Sequence, residues 1–215
     1  MVADVVVCPY CGEGLRVPPQ RKKKCPFCKR PIYVKSTPEI RDKRLMTEAQ
    51  AEEAEKLWNA YHLRQESIAT LLSVGLDEKD LQQERALGAG TDSEAVVALL
   101  RRFAAATEKL HLRSSAFRHL AIYADKEGEP FYDLLAEAAR SQVLRLKESR
   151  VTKVEILTGG PDSSCAECET QAGKIFTVGE ALRLMPLPCR DCTSVLFSTR
   201  PGYCGCTYIP VIKRG

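Results

Sequence analysis

Apolar residues recur at three- and four-residue spacing through the middle of the chain. They alternate or cluster in short runs at both ends. Leu57, Trp58, Tyr61, Ile68, Leu71 and Leu72 mark one amphipathic helix that ends near Gly75. Thr47 with Gln50 offers a capping box at its start. Asp77 is placed to cap a short second helix reaching about Leu87, and Gly88-Ala-Gly90 breaks the pattern. Thr91 with Glu94 opens a third helix along Val96, Val97, Leu99, Leu100, Phe103 and Leu110, and the stretch from Phe117 to Tyr123 continues or restarts it. Pro130 fits a helix start, followed by Phe131, Leu134, Leu135, Ala138, Val143, Leu144 and Leu146. Strand-like runs are Val5-Val6-Val7, Leu15-Arg16-Val17 and Ile32-Tyr33-Val34 near one end, and Val151–Leu157, Gly173–Phe176 and Tyr208–Ile212 near the other. Thr177 with Glu180 opens a short helix that Met185-Pro186 stops. The pattern predicts an α+β chain in three parts: a small β module over 1–36, a helical domain over 39–150 and a small β/α domain over 151–215.

Composition narrows the class. Of 215 residues, 44% are hydrophobic and 28% charged, ordinary for a folded globular chain. No apolar run approaches the roughly 18 residues a membrane helix needs. Met1 to Cys8 lacks the basic n-region and the long apolar run of a signal peptide, so a cytoplasmic location without membrane contact is expected. In a reducing compartment, cysteines at metal spacing point to metal rather than disulfides. The net charge of +4 is uneven. Residues 1–44 hold 11 Lys/Arg against 4 Asp/Glu, net +7, whereas residues 45–150 hold 14 against 18, net −4. The basic excess is therefore local to the N-terminal module.

All ten cysteines fall before residue 29 or after residue 164. The first four form Cys8-Pro-Tyr-Cys11-Gly12 and Cys25-Pro-Phe-Cys28-Lys29, separated by 13 residues. A Cys-x2-Cys turn aims backbone amides at its sulfurs, which lowers the cost of holding two thiolates together. Two such turns joined by a hairpin-length segment predict one zinc on Cys8, Cys11, Cys25 and Cys28, and the segment resembles a zinc ribbon. A module of this size buries too little to fold without metal. Between the knuckles lie Arg21, Lys22, Lys23 and Lys24, with Tyr10, Phe27 and Tyr33 nearby. Cations beside aromatic rings are what a nucleic-acid surface needs, and a solvated hairpin tip is the plainer alternative. A nucleic-acid or protein partner is expected on residues 10–44.

The last six cysteines exceed the needs of one tetrahedral zinc. Cys165 and Cys168 form one pair, and Cys189, Cys192, Cys204 and Cys206 supply the remaining ligands. The favoured set is Cys165, Cys168, Cys192 and one of Cys204 or Cys206, with Cys189 last in order. A two-zinc cluster sharing thiolates is the alternative. Two zinc sites are thus expected for the whole chain. His62, His111 and His119 lack ligand spacing and read as ordinary helix residues. No phosphate loop and no nucleophile elbow appear.

Cys165-x2-Cys168, Gly173-Lys174 before an aromatic, Pro186-Leu-Pro188, Cys189-x2-Cys192 and Cys204-Gly-Cys206 together loosely resemble the C-terminal domain of phage Mu F-type head-morphogenesis proteins, over about 45 residues. Cys189 stands where that family has histidine, Gly205 replaces an arginine, and 11 residues separate Cys192 from Cys204. The resemblance implies a zinc-bound C-terminal fold and, as one reading, a role in phage head assembly. The residues themselves favour a non-enzymatic zinc adaptor with no catalytic residues assigned. A zinc hydrolase using the C-terminal site, with Glu167 or Glu169 as base, is the other reading.

Overall fold

Four helices begin where a side chain satisfies an unpaired N–H group. Thr47 and Gln50 exchange hydrogen bonds at 2.9 and 3.3 Å. Capping boxes also form at Asp77, Thr91 and Thr177, in the last two cases with Glu94 and Glu180. These are the starts the sequence predicts, each contributing about 1 kcal/mol. The computed structural model describes residues 6–160 and 164–212. Val5 and the turn residues Pro161 and Asp162 lie outside them. The architecture is α+β, and the chain divides into two compact units, Met1–Glu66 and Ser67–Gly215.

The first unit holds an antiparallel sheet of β1 (Lys23–Lys24), β2 (Pro31–Lys35) and β3 (Arg44–Met46) in that order. Ile32 opposes Lys23, and Val34 opposes Leu45. Val7 and Gly14 meet in a single bridge, so the two apolar runs around the first knuckle make a short hairpin rather than full strands. Helix α1 (Glu48–Leu72) follows. Its first turns are tied to the sheet: the Tyr33 hydroxyl donates to Glu48 at 2.7 Å, the Tyr10 phenol oxygen accepts from the Glu48 N–H, and Lys35 pairs with Glu55. Trp58 donates to the Ser36 carbonyl at 2.9 Å, and the Arg41 guanidinium lies 5.0 Å from the Trp58 ring. His62 stacks on the same indole.

In the second unit the end of α1 joins α2 (Glu78–Ala86), α3 (Asp92–Ala106), α4 (Leu110–Glu127) and α5 (Tyr132–Glu148). Leu71, Val74, Leu81, Val96, Leu100 and Ala116 are fully buried among them. Ala116, Ala121 and Ala138 are buried, and Ser114 on α4 donates to the Ala138 carbonyl on α5 at 2.8 Å. His119 contacts the Ser73 hydroxyl at 2.8 Å, which gives it a packing role.

The chain then forms β4 (Lys153–Leu157), α6 (Ala166–Gln171), β5 (Ile175–Thr177), α7 (Val178–Leu184) and β6 (Thr207–Pro210). The sheet order is β5-β4-β6, antiparallel throughout. Val154 and Ile156 point inward while their neighbours do not, the alternation that marks a half-buried strand. Helices α5 and α7 pack on this sheet. On the edge strand β6, the Gln142 amide donates to the Tyr208 carbonyl at 2.9 Å and accepts from the Tyr208 N–H at 3.4 Å. No helix among the described residues is long and apolar enough to cross a membrane.

Candidate metal centres

The two N-terminal knuckles share one backbone design. In the first, Cys8 N–H donates to the Glu13 carbonyl and Gly12 N–H to the Cys8 carbonyl, at 2.9 and 3.0 Å. In the second, Cys25 N–H donates to Arg30 and Lys29 N–H to Cys25, at 2.9 and 3.1 Å. The residue after each second cysteine is left-handed, with φ of 75° at Gly12 and 62° at Lys29. Glycine adopts this without cost, whereas Lys29 is held there with its ammonium on the Pro26 carbonyl at 2.7 Å. The turns face each other so that Cys8 and Cys28 sulfurs stand 3.9 Å apart, as do those of Cys11 and Cys25. Four sulfurs bonded at about 2.3 Å to one tetrahedral ion stand about 3.8 Å apart. The spacing therefore fits a single ion, and all four sulfurs lie within 4.8 Å of one another.

The electrostatics of the metal-free thiols point the same way. Burial raises the Cys25 thiol, yet N–H groups at Cys28 and Phe27 and the thiols of Cys8 and Cys28 bring it down to about 7. At Cys11 the backbone at Glu13 favours the thiolate, but desolvation and the other three cysteines push it up to about 11. Cys25 thus holds a thiolate readily, whereas Cys11 resists one. A cation reverses that balance by replacing protons with one shared positive charge.

The C-terminal sulfurs form two overlapping groups. Cys168, Cys189, Cys204 and Cys206 gather in one, all buried. Cys165, Cys168 and Cys192 gather in the other, with Cys165 half-buried. Cys168 belongs to both, 3.6 Å from Cys192 and 3.8 Å from Cys204. Helix α6 positions Cys168, and Cys165 precedes its first residue. The Cys189–Cys192 turn follows α7, with Cys192 N–H donating to the Cys189 carbonyl. Cys204 and Cys206 lead directly into β6. Backbone N–H groups aim at the sulfurs: Cys189 N–H donates to Cys204 at 3.3 Å, and Thr193 N–H to Cys165 at 3.4 Å.

Here too the thiols share charge unevenly. Hydrogen bonds from Cys189 and Cys206 hold Cys204 far below the ordinary thiol range. Cys189 is pushed up to about 11, first by its bond to Cys204. Burial raises Cys168 strongly, and the bond to Cys189 raises Cys206. Burial would also raise Cys165, but N–H donors at Cys168 and Thr193 bring it to about 6.

No family model, curated protein or solved structure matches this chain. Support for bound metal comes first from the sulfur geometry. That geometry brings together the four N-terminal cysteines the sequence nominates. It also brings Cys189, placed last by sequence reasoning, into the buried four-sulfur group, and it sets Cys165 and Cys192 beside Cys168 in the other. No histidine enters a metal-ligating group among the described residues.

The cationic run occupies the first sheet. Lys23 and Lys24 form β1, and Arg21 to Lys24 are all exposed. Lys22 lies over the Tyr33 ring, its ammonium 4.4 Å from the centroid. Lys23 and Lys24 instead line a groove of about 450 Å³ with Arg16, Val17, Pro26 and Phe27. The Phe27 ring is 56% exposed on the groove wall.

Proposed function

We propose that this protein is a zinc-binding, non-enzymatic adaptor whose N-terminal ribbon takes single-stranded nucleic acid. Zinc suits the donor set because thiolate-only, tetrahedral sites at this spacing favour a borderline-soft d10 ion. The observation that carries the partner is the groove that joins an exposed Phe27 ring to Lys23, Lys24 and Arg16. A flat ring for a base and cations for the backbone make the minimal single-strand platform. A buried apolar core residue would not leave its ring in solvent at the knuckle tip. The four buried sulfurs of Cys168, Cys189, Cys204 and Cys206 favour a closed, structural ion among them, which supports the adaptor over a hydrolase built on that group.

Fluorescence anisotropy of the zinc-loaded chain with labelled single-stranded and duplex oligonucleotides, across a salt series, tests this. Single strands should bind more tightly than duplexes. The Arg21→Ala, Lys23→Ala, Lys24→Ala triple variant should reduce the slope of log K against log salt by about 2. Phe27→Ala should cost about 1–3 kcal/mol of binding with zinc content unchanged. No binding of either form at low salt would remove nucleic acid as the partner and leave a protein partner for the same surface.

A further inference from the structure

We infer that the C-terminal cysteines hold two thiophilic divalent ions bridged by the Cys168 thiolate: an inner ion on Cys168, Cys189, Cys204 and Cys206, and an outer ion on Cys165, Cys168 and Cys192. This rests on the reading of the cysteines as metal ligands and is independent of the nucleic-acid surface.

A tetrahedral ion accepts four ligands, and six sulfurs are assembled. An ion in the buried four-sulfur group takes all four of its members and leaves Cys165 and Cys192 over. Those two are not scattered. Their sulfurs stand 3.8 Å apart, and Cys192 is 3.6 Å from Cys168. Both separations match the roughly 3.8 Å edge of a thiolate tetrahedron. The three sulfurs lie within 4.8 Å of one another, so they outline one face of a second tetrahedron that shares a corner with the first. A thiolate sulfur has lone pairs enough to bind two ions, and Cys168 is the sulfur placed to do so.

The two positions differ in their surroundings. All four inner sulfurs are buried. Cys165 is half-buried, and the Thr193 N–H donates to its sulfur at 3.4 Å. The outer ion therefore has three thiolates and one position left for a ligand from solvent. An ion with one exchangeable ligand leaves before an ion closed by four sulfurs. The outer position is the labile one, and its loss leaves the inner site complete because Cys168 remains with its other three partners.

Metal analysis of the full chain, purified without chelator, tests the proposal. About three zinc ions per chain are expected, one N-terminal and two C-terminal. Cys165→Ala and Cys192→Ala should each lower the count by one and leave the melting transition of the C-terminal unit in place. Cys168→Ala should lower it by two. Because that last variant can fail to fold, cadmium-113 NMR of the wild-type chain supplies the second measurement. Two resonances should be split by one another through the shared sulfur, and the third should be a singlet. A count of two, with Cys165 and Cys192 alkylated in the native protein, would overturn the second ion while keeping the mononuclear sites. Three ions without cadmium–cadmium coupling would overturn the bridge. A count of zero would overturn the metal reading underneath.

Discussion

Around the N-terminal sulfurs, Ile32 is the one non-cysteine residue in the buried cluster among the described residues, joined by partly buried Tyr10, Leu15 and Leu45. Around the C-terminal sulfurs, five cysteines sit inside a cluster of eighteen buried residues that includes Val143, Ile156, Leu187 and Tyr208. Burying one isoleucine supplies about 1.5–3 kcal/mol. Ordering some 30 residues of backbone costs tens of kcal/mol. In the first region a bound ion would therefore have to act as the core. In the second the core already exists, and ions would complete it. The same residue type thus does different work depending on how much apolar surface surrounds it.

Chelation should expose this contrast most strongly. In the metal-free chain, hydrogen exchange at the knuckle amides of Cys8, Gly12, Cys25 and Lys29 should rise to unprotected rates, a complete loss of local structure. Amides in α3, α4 and α5 should stay protected. Knuckle amides that remain protected without metal would mean that the apolar cluster around Ile32 suffices to fold the module.

Leu100→Ala is the converse experiment. It opens a cavity in the helical core and should cost roughly 2–5 kcal/mol in denaturant unfolding of the second unit. Metal content should be unchanged, since among the described residues no cysteine belongs to this cluster. A drop in bound metal would show that the helices and the sulfur groups are one cooperative system.

The helix caps of the second unit provide a smaller effect. Thr91→Ala removes the side-chain acceptor for Glu94 N–H and should cost about 1 kcal/mol, again without loss of metal. Destabilisation well beyond this would mean that α3 does more than pack.

The smallest expected effect is pH-dependent. Arg102 hydrogen-bonds and ion-pairs with the Glu84 carboxylate and holds it below its ordinary range, against the opposing pull of burial. A lowered folded value means that the contribution is present above the unfolded value of about 4.3 and is lost as pH falls through the folded one. Glu84→Gln should therefore lower the melting temperature at pH 7 and have little effect at pH 3. An equal loss at both would assign the effect to packing instead.

Much of this organisation is legible in the sequence because it is local. Capping boxes lie within four residues, and each N-terminal knuckle is a Cys-Pro-aromatic-Cys run. Other features depend on distant partners. Strand β3 is only Arg-Leu-Met, too short to show alternation, and it is a strand because β2 lies beside it. Strand β1 lies within a run read as a basic loop, and its register with Pro31 and Ile32 makes it a strand. Helix α6 lacks apolar periodicity in Ala-Glu-Cys-Glu-Thr-Gln. The break between α3 and α4 at Thr107–Lys109 has neither glycine nor proline to announce it. Cys189 meets Cys204 only because the intervening segment folds back, with Ser198 donating to the buried Asp125 at 2.8 Å and Phe197 set edge-on to Tyr203. Spacing alone does not encode that return.

The Gln142 amide on β6 has a consequence for association between chains. Tyr208 turns its N–H and carbonyl away from β4, toward the side where a further strand would add. A carboxamide there imitates the backbone of such a strand and occupies both groups. Sheet growth is thereby stopped at β6 by a side chain from within the same chain. Replacing Gln142 with leucine would leave two backbone groups seeking partners, and the edge would become adhesive.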